Sequence, residues 1–187
     1  MSNSDSRKKA SSDRLKQIHA KSPELPADVI SPRFVADVML GRLAKWLRIS
    51  GFDILYSNRY TDDELIAISL EEKRILLSRD TRLLVRKPVS SFIFLESDRI
   101  QDQIRQVFQA TRTTSLPALL TRCLLCNEML DWIPRAEIRE AVPRYVFENQ
   151  RQFKICPRGD KVYWPGTHRQ SVTRILATLL SAEETGE

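Results

Sequence analysis

Three short apolar segments of this chain each run into an aspartate, and this repeat constrains the fold more than any other feature. The segments are Phe34–Asp37, Ile75–Asp80 and Phe92–Asp98. Helix-like stretches separate them, and this alternation predicts parallel strands joined by right-handed crossovers. The carboxyl ends of parallel strands meet at one edge of a sheet, where ligands bind at the topological switch point. The sequence therefore predicts an α/β fold with acidic residues gathered at that edge.

Local signals mark the elements between these segments. Strands are predicted over residues 33–37, 52–56, 74–78 and 91–96. The first helix is predicted from apolar residues at helical spacing, namely Leu40, Leu43, Ala44 and Leu47. Gly51 is placed to stop that helix, and Thr61 with Glu64 forms the capping-box pattern that opens the next one. No glycine-rich loop follows the first strand, which disfavours dinucleotide binding.

Composition divides the chain into four parts. Residues 1–32 carry six Lys or Arg and four acidic residues, and we expect them to form a disordered basic tail with a nascent helix around Asp13–Ala20. Residues 33–115 hold the strand and helix alternation. Residues 118–168 are interrupted by prolines, contain all three cysteines and are expected to form a small second module. Residues 169–183 show helical spacing of apolar residues and predict a final helix that packs back on the body.

The overall composition narrows the class of protein. No apolar run approaches the length of a membrane span, and the N-terminus lacks the apolar core of a secretory signal. An odd cysteine count argues against a disulfide framework and favours a reducing cytoplasm. The net charge of +6 fits a nucleic-acid partner.

The acidic residues at the strand ends predict a divalent-metal site. Converging carboxylates suit Mg²⁺ or Mn²⁺ and the two-metal hydrolysis of phosphodiesters. Asp37 and Asp80 are the first candidates, and Asp98 is the third. A fourth acidic residue is expected at the start of the helix after Thr61. Because Glu64 is engaged as the capping-box partner there, Asp62 or Asp63 would supply it.

Basic residues near these acids are candidates for binding substrate. Arg42, Lys45 and Arg48 are expected on the solvated side of the first helix, which starts beside Asp37. Cations at this place could contact phosphates. Arg79 directly precedes Asp80 and is predicted to contact the substrate or a carboxylate.

The cysteines show part of a zinc-ribbon pattern. Cys123 and Cys126 have zinc-knuckle spacing, and Cys156 follows about thirty residues later. The second knuckle is incomplete because Gly159 stands where a fourth cysteine is expected. A zinc ion would then take its fourth ligand from His168, from Asp160 or from water.

Four blocks of the sequence, over residues 34–53, 74–80, 122–127 and 162–168, resemble the signatures of the Mut-seven C-terminal ribonuclease family. The resemblance implies a PIN-like three-layer nuclease domain with a parallel sheet, followed by a zinc ribbon, and metal-dependent RNA cleavage. It implies catalytic roles for Asp37, Asp80, Asp62 and Asp98, and zinc ligation by Cys123, Cys126 and Cys156. The chain departs from the family at positions 159 and 160, where Cys-Gly is expected.

Three functions are consistent with these features. The first is an Mg²⁺- or Mn²⁺-dependent ribonuclease that binds the metal through Asp37, Asp80 and Asp98. The second is a non-catalytic RNA-binding or regulatory protein on the same fold. The third is a phosphatase with Asp37 as nucleophile, which is disfavoured because Met39 stands where such enzymes place a second aspartate.

Overall fold

The computed structural model describes residues 3–20, 32–159, 161–166 and 169–181. Four parallel strands form its main sheet in the order β2-β1-β3-β4. Their bounds are Arg33–Ala36 for β1, Asp53–Tyr56 for β2, Ile75–Ser78 for β3 and Phe92–Phe94 for β4. The two ends of each predicted strand agree with those of an observed strand to within two residues. The predicted α/β fold with a parallel sheet is therefore confirmed.

Helices cover both faces of this sheet. Their bounds are Asn3–Ala20 for α1, Gly41–Ile49 for α2, Asp62–Glu71 for α3, Thr81–Leu84 for α4 and Ile100–Ala110 for α5. Alternate residues of a strand point to opposite faces. Accordingly, Phe34 and Ala36 pack with α2 and α5, whereas Val35 packs with α3 and α4. The result is a three-layer arrangement of helix, sheet and helix.

The predicted helix ends have the expected geometry. Thr61 and Glu64 make both hydrogen bonds of a capping box at the start of α3. Gly51 ends α2 with a φ of +91°, a conformation that is strained for residues with a side chain. A Cβ atom at Gly51 would also lie 2.6 Å from the carbonyl oxygen of Ala118. This close approach lets the segment leading into the second module pack against the end of α2.

The N-terminal helix is longer than the nascent helix that the sequence predicts within a disordered basic tail. Residues Asn3–Ala20 form α1, and residues 21–31 lie outside the described residues. Ile18 is buried in the cluster on the α3 and α4 side of the sheet, and the Arg14 guanidinium donates a hydrogen bond to the Thr81 hydroxyl. Tertiary packing thus stabilises a helix that its polar composition disfavours in isolation.

The second module is built on a small antiparallel sheet in the order β5-β6-β7. These strands are Asp131–Ile133, Phe153–Ile155 and Val162–Tyr163, and helix α6, Arg144–Asn149, lies between the first two. The last helix, α7, spans Arg169–Ser181, lies against α5 and buries Leu176 and Leu179 in the apolar cluster on the α2 and α5 side of the sheet. No helix among the described residues is long and apolar enough to cross a lipid bilayer.

Candidate acidic site and cysteine cluster

The strand order creates a switch point at the carboxyl ends of β1 and β3. Strand β1 lies between β2 and β3, so the connections from β1 and from β2 leave towards opposite sides of the sheet. Asp37 directly follows β1, and its N–H donates to the carbonyl oxygen of Leu77 on β3 at 3.0 Å. Asp80 lies two residues beyond the end of β3. Both acids therefore belong to the edge where α/β proteins bind ligands.

A single serine connects these two aspartates. The Ser78 hydroxyl donates to Oδ2 of Asp37 at 2.6 Å and accepts from the N–H of Asp80 at 2.9 Å. Ser78 is fully buried, and Asp37 is only 5% exposed. A bond of this length from a hydroxyl to a carboxylate, as between Ser78 and Asp37, is among the stronger hydrogen bonds in proteins. Ser78 thus fixes the Asp37 side chain and the backbone of Asp80 relative to each other.

Asp80 also caps a helix, and this keeps it ionised. Its Oδ1 accepts from the N–H of Arg82 at 2.7 Å at the start of α4, and the Arg82 guanidinium lies 3.3 Å from Oδ2. Burial raises the pKa of Asp80, but the hydrogen bonds and charge of Arg82 outweigh it, so the pKa lies below its usual value. The carboxylate form is therefore favoured near neutral pH.

The three acidic residues in the first turn of α3 differ in the contacts that they make. Glu64 is held in the capping box by Thr61, and Asp63 forms an ion pair with Arg86. Asp62 is exposed and has no hydrogen bond or ion pair with another described residue. Its charge is nevertheless felt at Arg82, because Asp80 first and Asp62 to a smaller extent raise the pKa of that guanidinium.

Asp98 is exposed in the loop between β4 and α5. That loop begins beside the acidic edge, since the N–H of Leu95 donates to the carbonyl oxygen of Ser78 at 3.0 Å. Within the described part of the chain, no three carboxylates are gathered as tightly as the cysteine sulfurs described below. The roles of Asp62 and Asp98 in a metal site therefore stay predictions.

Three of the four predicted substrate-binding cations are exposed, namely Arg42, Lys45 and Arg79. Arg48 differs from its expected place on the solvated side of α2, because it is only 4% exposed. Its guanidinium donates to the carbonyl oxygens of Ile54, Leu124 and Leu125 at 2.9–3.2 Å, and its burial lowers its pKa. Arg48 thus joins α2 and β2 to residues 123–126, called here the cysteine turn, and does not lie on the solvated face of α2 where the sequence predicts a substrate-binding cation.

A second polar contact joins the two modules through Asp53. Its Oδ1 accepts from Arg74 at 2.6 Å and from the Asn127 amide at 2.8 Å, and Arg122 lies 3.7 Å from Oδ2. Burial raises the pKa of Asp53, but the hydrogen bonds from Arg74 and Asn127 prevail and hold it below its usual value. The Asn127 Oδ1 in turn accepts from the N–H of Ile54.

The three cysteines form a compact cluster that can bind a metal such as zinc. The sulfur atoms of Cys123, Cys126 and Cys156 lie within 4.8 Å of one another, and those of Cys126 and Cys156 are 3.3 Å apart. Cys123 and Cys156 are buried, whereas Cys126 is partly exposed. The Tyr163 hydroxyl lies 3.2 Å from the Cys123 sulfur and accepts from the N–H of Leu124.

The pKa values of two of the thiols are shifted in opposite directions. Burial raises the pKa of Cys123, but hydrogen bonds from Tyr163 and from the backbone N–H groups of Cys126 and Leu125 prevail and lower it. Burial raises the pKa of Cys156. The cluster therefore favours a thiolate at Cys123, the form that binds metals.

Gly159 stands where the sequence pattern expects a fourth cysteine. A Cβ atom at Gly159 would have no other described residue within 4 Å, and the N–H of Gly159 donates to the carbonyl oxygen of Cys156. Asp160 and His168, the two alternative ligands, lie outside the described residues.

Together these features define a class of protein: an α/β fold with acidic residues at its switch point and an appended module that can hold a metal. The family model described as the Mut7-C RNAse domain matches residues 32–176. The chain therefore belongs to this family, which indicates a ribonuclease-like function with RNA as substrate. Neither a curated protein nor a solved structure gave a match.

Proposed function

We propose that this protein is a metal-dependent ribonuclease that hydrolyses RNA phosphodiester bonds with Mg²⁺ or Mn²⁺ at Asp37 and Asp80. The observation that carries this proposal is the shared Ser78 anchor, which holds these two acids together at the switch point. Membership of the RNase-domain family supports the same reaction class.

The donors at this edge are suited to a hard divalent cation. Asp37 uses Oδ2 for Ser78, and no described residue donates to its Oδ1. Asp80 favours its ionised form, as its lowered pKa indicates. Oxygen ligands of this kind, completed by waters and substrate phosphate, suit Mg²⁺ and Mn²⁺. A bound divalent ion would activate water and stabilise the leaving oxygen.

The residues of the chain would divide the remaining tasks. Asp37 and Asp80 would supply metal-binding oxygens, Ser78 would position them, and Asp62 and Asp98 would complete the acidic edge. Exposed cations near the edge, namely Arg42, Lys45 and Arg79, would contact RNA phosphates. Arg82 would partly neutralise Asp80, which limits repulsion of the polyanionic substrate.

Substitution of the two acids tests this proposal. Asp37→Asn and Asp80→Asn should each lower single-turnover cleavage of a 5′-labelled single-stranded RNA by at least about a hundredfold in Mn²⁺ or Mg²⁺. Asp131→Asn, which alters an exposed acid on β5, should cleave like the wild type. The wild type and the variants must share purification and thermal unfolding profiles, so that contaminating nuclease and misfolding are excluded.

Equal cleavage by wild type and both variants would refute the proposal. If RNA binds, weakens with added salt as phosphate contacts require, but is never cleaved with any divalent ion, the non-catalytic RNA-binding function replaces it. A phosphorylated or fluoroberyllate-modified Asp37 would instead indicate the phosphatase.

We also propose that the cysteine cluster binds Zn²⁺ through Cys123, Cys126 and Cys156 and has a structural role. Three thiolate ligands suit zinc, and structural zinc sites normally have four protein ligands. Because the chain has only three cysteines and Gly159 stands where a fourth is expected, the fourth ligand would be Asp160, His168 or water. One zinc ion per chain in metal analysis of the purified protein, lost in Cys126→Ala, is the expected result.

A further inference from the structure

The small sheet of the second module has two unlike faces. The pairing register places Trp132 opposite Lys154, and Lys154 opposite Tyr163. These residues form one row across all three strands and share a face, because directly paired residues point to the same side. The opposite face buries Ile133 and Phe153 in the module's own core. The core of the second module therefore leaves Trp132 exposed and Lys154 partly exposed, whereas Tyr163, at the other end of the row, packs against the cysteine cluster.

A pocket of about 310 Å³ opens over this row. Its lining includes Trp132, Lys154, Tyr163, Trp164 and Gln152. None of the described lining residues is acidic, and one is a cation. The pocket thus combines aromatic surface with positive charge, which favours an anionic ligand that carries a flat ring over a cationic one.

Trp132 is unusual because it is 65% exposed. A large aromatic side chain is normally buried. Here it is steadied by the Lys154 ammonium group, which lies 4.9 Å from the ring centroid in the range of a cation–π contact. Lys154 is itself fixed by a hydrogen bond to the Leu120 carbonyl oxygen at 3.3 Å. The ring is therefore held in place while most of its surface stays accessible.

We propose that this pocket binds a nucleobase of single-stranded RNA. The base would stack on Trp132, Lys154 would attract the adjoining phosphate, and the Gln152 amide, which bonds to no other described residue, would reach the base edge. Stacking on an aromatic ring tolerates every base, so the site would hold single strands with little sequence preference. The choice of RNA as ligand rests on the proposed function, but binding here requires no cleavage.

The pocket lies apart from the acidic edge. The N–H of Leu120 donates to the carbonyl oxygen of Ile49 at the end of α2, and α2 runs back from the switch point to the amino-terminal side of the sheet. The acidic residues lie at the opposite, carboxyl-terminal side. An RNA that occupies both places must extend along the protein, so the pocket would serve extended single strands rather than mononucleotides.

RNA binding by the full chain tests the proposal independently of catalysis. Fluorescence anisotropy of a 3′-labelled 12-nucleotide polyuridine is measured without added divalent ion, and gels verify that the RNA stays intact. Chelator is omitted so that the cysteine cluster keeps any metal. Trp132→Ala should weaken binding about tenfold or more, whereas Trp132→Phe, which keeps a ring, should stay within about threefold of the wild type. Lys154→Ala should make the dependence of log affinity on log salt shallower by about 0.7.

Tyr145→Ala is the matched control, because Tyr145 is an equally exposed aromatic residue, at 68%, in helix α6 of the same module but outside the pocket. It should bind RNA like the wild type. Stacking should also quench tryptophan fluorescence in the wild type and quench it less in Trp132→Phe, a readout that survives if Trp132→Ala does not fold. Binding by Trp132→Ala within about twofold of the wild type, or an equal loss in Tyr145→Ala, would overturn the proposal.

Discussion

Replacing Ser78 with alanine tests whether the Ser78 hydroxyl positions the acidic site, because both acidic residues stay in place. The substitution removes one oxygen atom from a fully buried position and leaves both acids in the chain. It deletes the hydrogen bond donated to Asp37 at 2.6 Å and the acceptor for the Asp80 N–H at 2.9 Å. The Asp37 carboxylate and the Asp80 backbone then lose the group that fixes them relative to each other.

The magnitude follows from these two bonds. A hydrogen bond to a charged group contributes about 1.5–3 kcal/mol, and a buried N–H without a partner costs about 1–3 kcal/mol. Because water can reach the Asp80 side of the site, which is partly exposed, we take the lower part of the second range. The free energy of unfolding should fall by about 2–4 kcal/mol, which most domains of this size survive. Divalent-ion affinity should fall about 10–100-fold, as for other groups that orient metal ligands.

Two measurements check these values. Urea unfolding gives the loss of stability, and a Mn²⁺ titration of RNA cleavage gives the midpoint of metal dependence. Ser57→Ala is the matched control, because the Ser57 hydroxyl also accepts from an N–H two residues later, that of Arg59, but donates to neither acid. It should change stability by less than about 1 kcal/mol and leave the Mn²⁺ midpoint unchanged.

A Ser78→Ala protein with wild-type stability and a wild-type Mn²⁺ midpoint would refute the reasoning, since Ser78 would then not anchor the acids. A large loss of stability with an unchanged Mn²⁺ midpoint would make Ser78 a purely structural residue. An unchanged stability with a shifted midpoint would show that the hydrogen bonds matter only for the metal. The predicted result requires both shifts.

The other predictions concern the second module and its contact with the sheet. Arg48→Ala should lower the free energy of unfolding by about 3 kcal/mol or more because it leaves buried carbonyl oxygens unpaired, whereas the exposed Arg42→Ala should stay within about 0.5 kcal/mol; urea unfolding compares them. Gly159→Cys should raise Zn²⁺ affinity in chelator competition and intensify the thiolate charge-transfer absorption of the Co²⁺ form. The reason is that a cysteine at position 159 would supply a fourth thiolate and its Cβ atom would meet no other described residue within 4 Å. An unchanged spectrum would mean that a side chain at this position does not reach the metal. The pKa of Asp53 is lower in the folded protein, so the stability that Asp53 contributes is present above the unfolded pKa and is lost as the pH falls through the folded pKa. Asp53→Asn should therefore reduce the free energy of unfolding at pH 7 and make that energy fall less steeply in acid. If the variant's stability falls in acid as steeply as that of the wild type, Asp53 is not the source of the pH dependence.

Local patterns were sufficient to predict the main sheet. The strands and the helix starts at Thr61 and after Asp37 depend on residues close in sequence, so periodicity and capping signals locate them. The alternation of elements also placed Asp37 and Asp80 at one edge. These predictions succeeded because a parallel sheet follows from the order of its elements.

Arg48 shows where sequence reasoning failed although a signal was present. It lies four residues after Ala44, and residues four apart share a helix face. Ala44 is fully buried, so helical geometry put Arg48 on the buried side. The charge of Arg48 favoured an exposed position. The carbonyl oxygens that make its burial possible belong to residues 54, 124 and 125, and no local sequence pattern shows that these residues lie near Arg48.

The second module was the least predictable part of the fold. Its strands contain only two or three residues, too few for the alternation that marks a strand to emerge. The row of Trp132, Lys154 and Tyr163 arises from pairing between segments far apart in sequence. The pocket over this row could therefore be found only once the register was known.

The backbone of the cysteine turn connects the second module to helix α2. The carbonyl oxygens of Leu124 and Leu125, which lie between Cys123 and Cys126, accept hydrogen bonds from Arg48. The same backbone conformation that brings these sulfurs together therefore orients the acceptors for α2. Since α2 begins four residues beyond Asp37, the shape of the cysteine turn and the position of the acidic edge are linked through a single helix. Loss of the turn would deprive the Arg48 guanidinium of two of its three carbonyl acceptors, those of Leu124 and Leu125, and would leave it bonded to Ile54 alone.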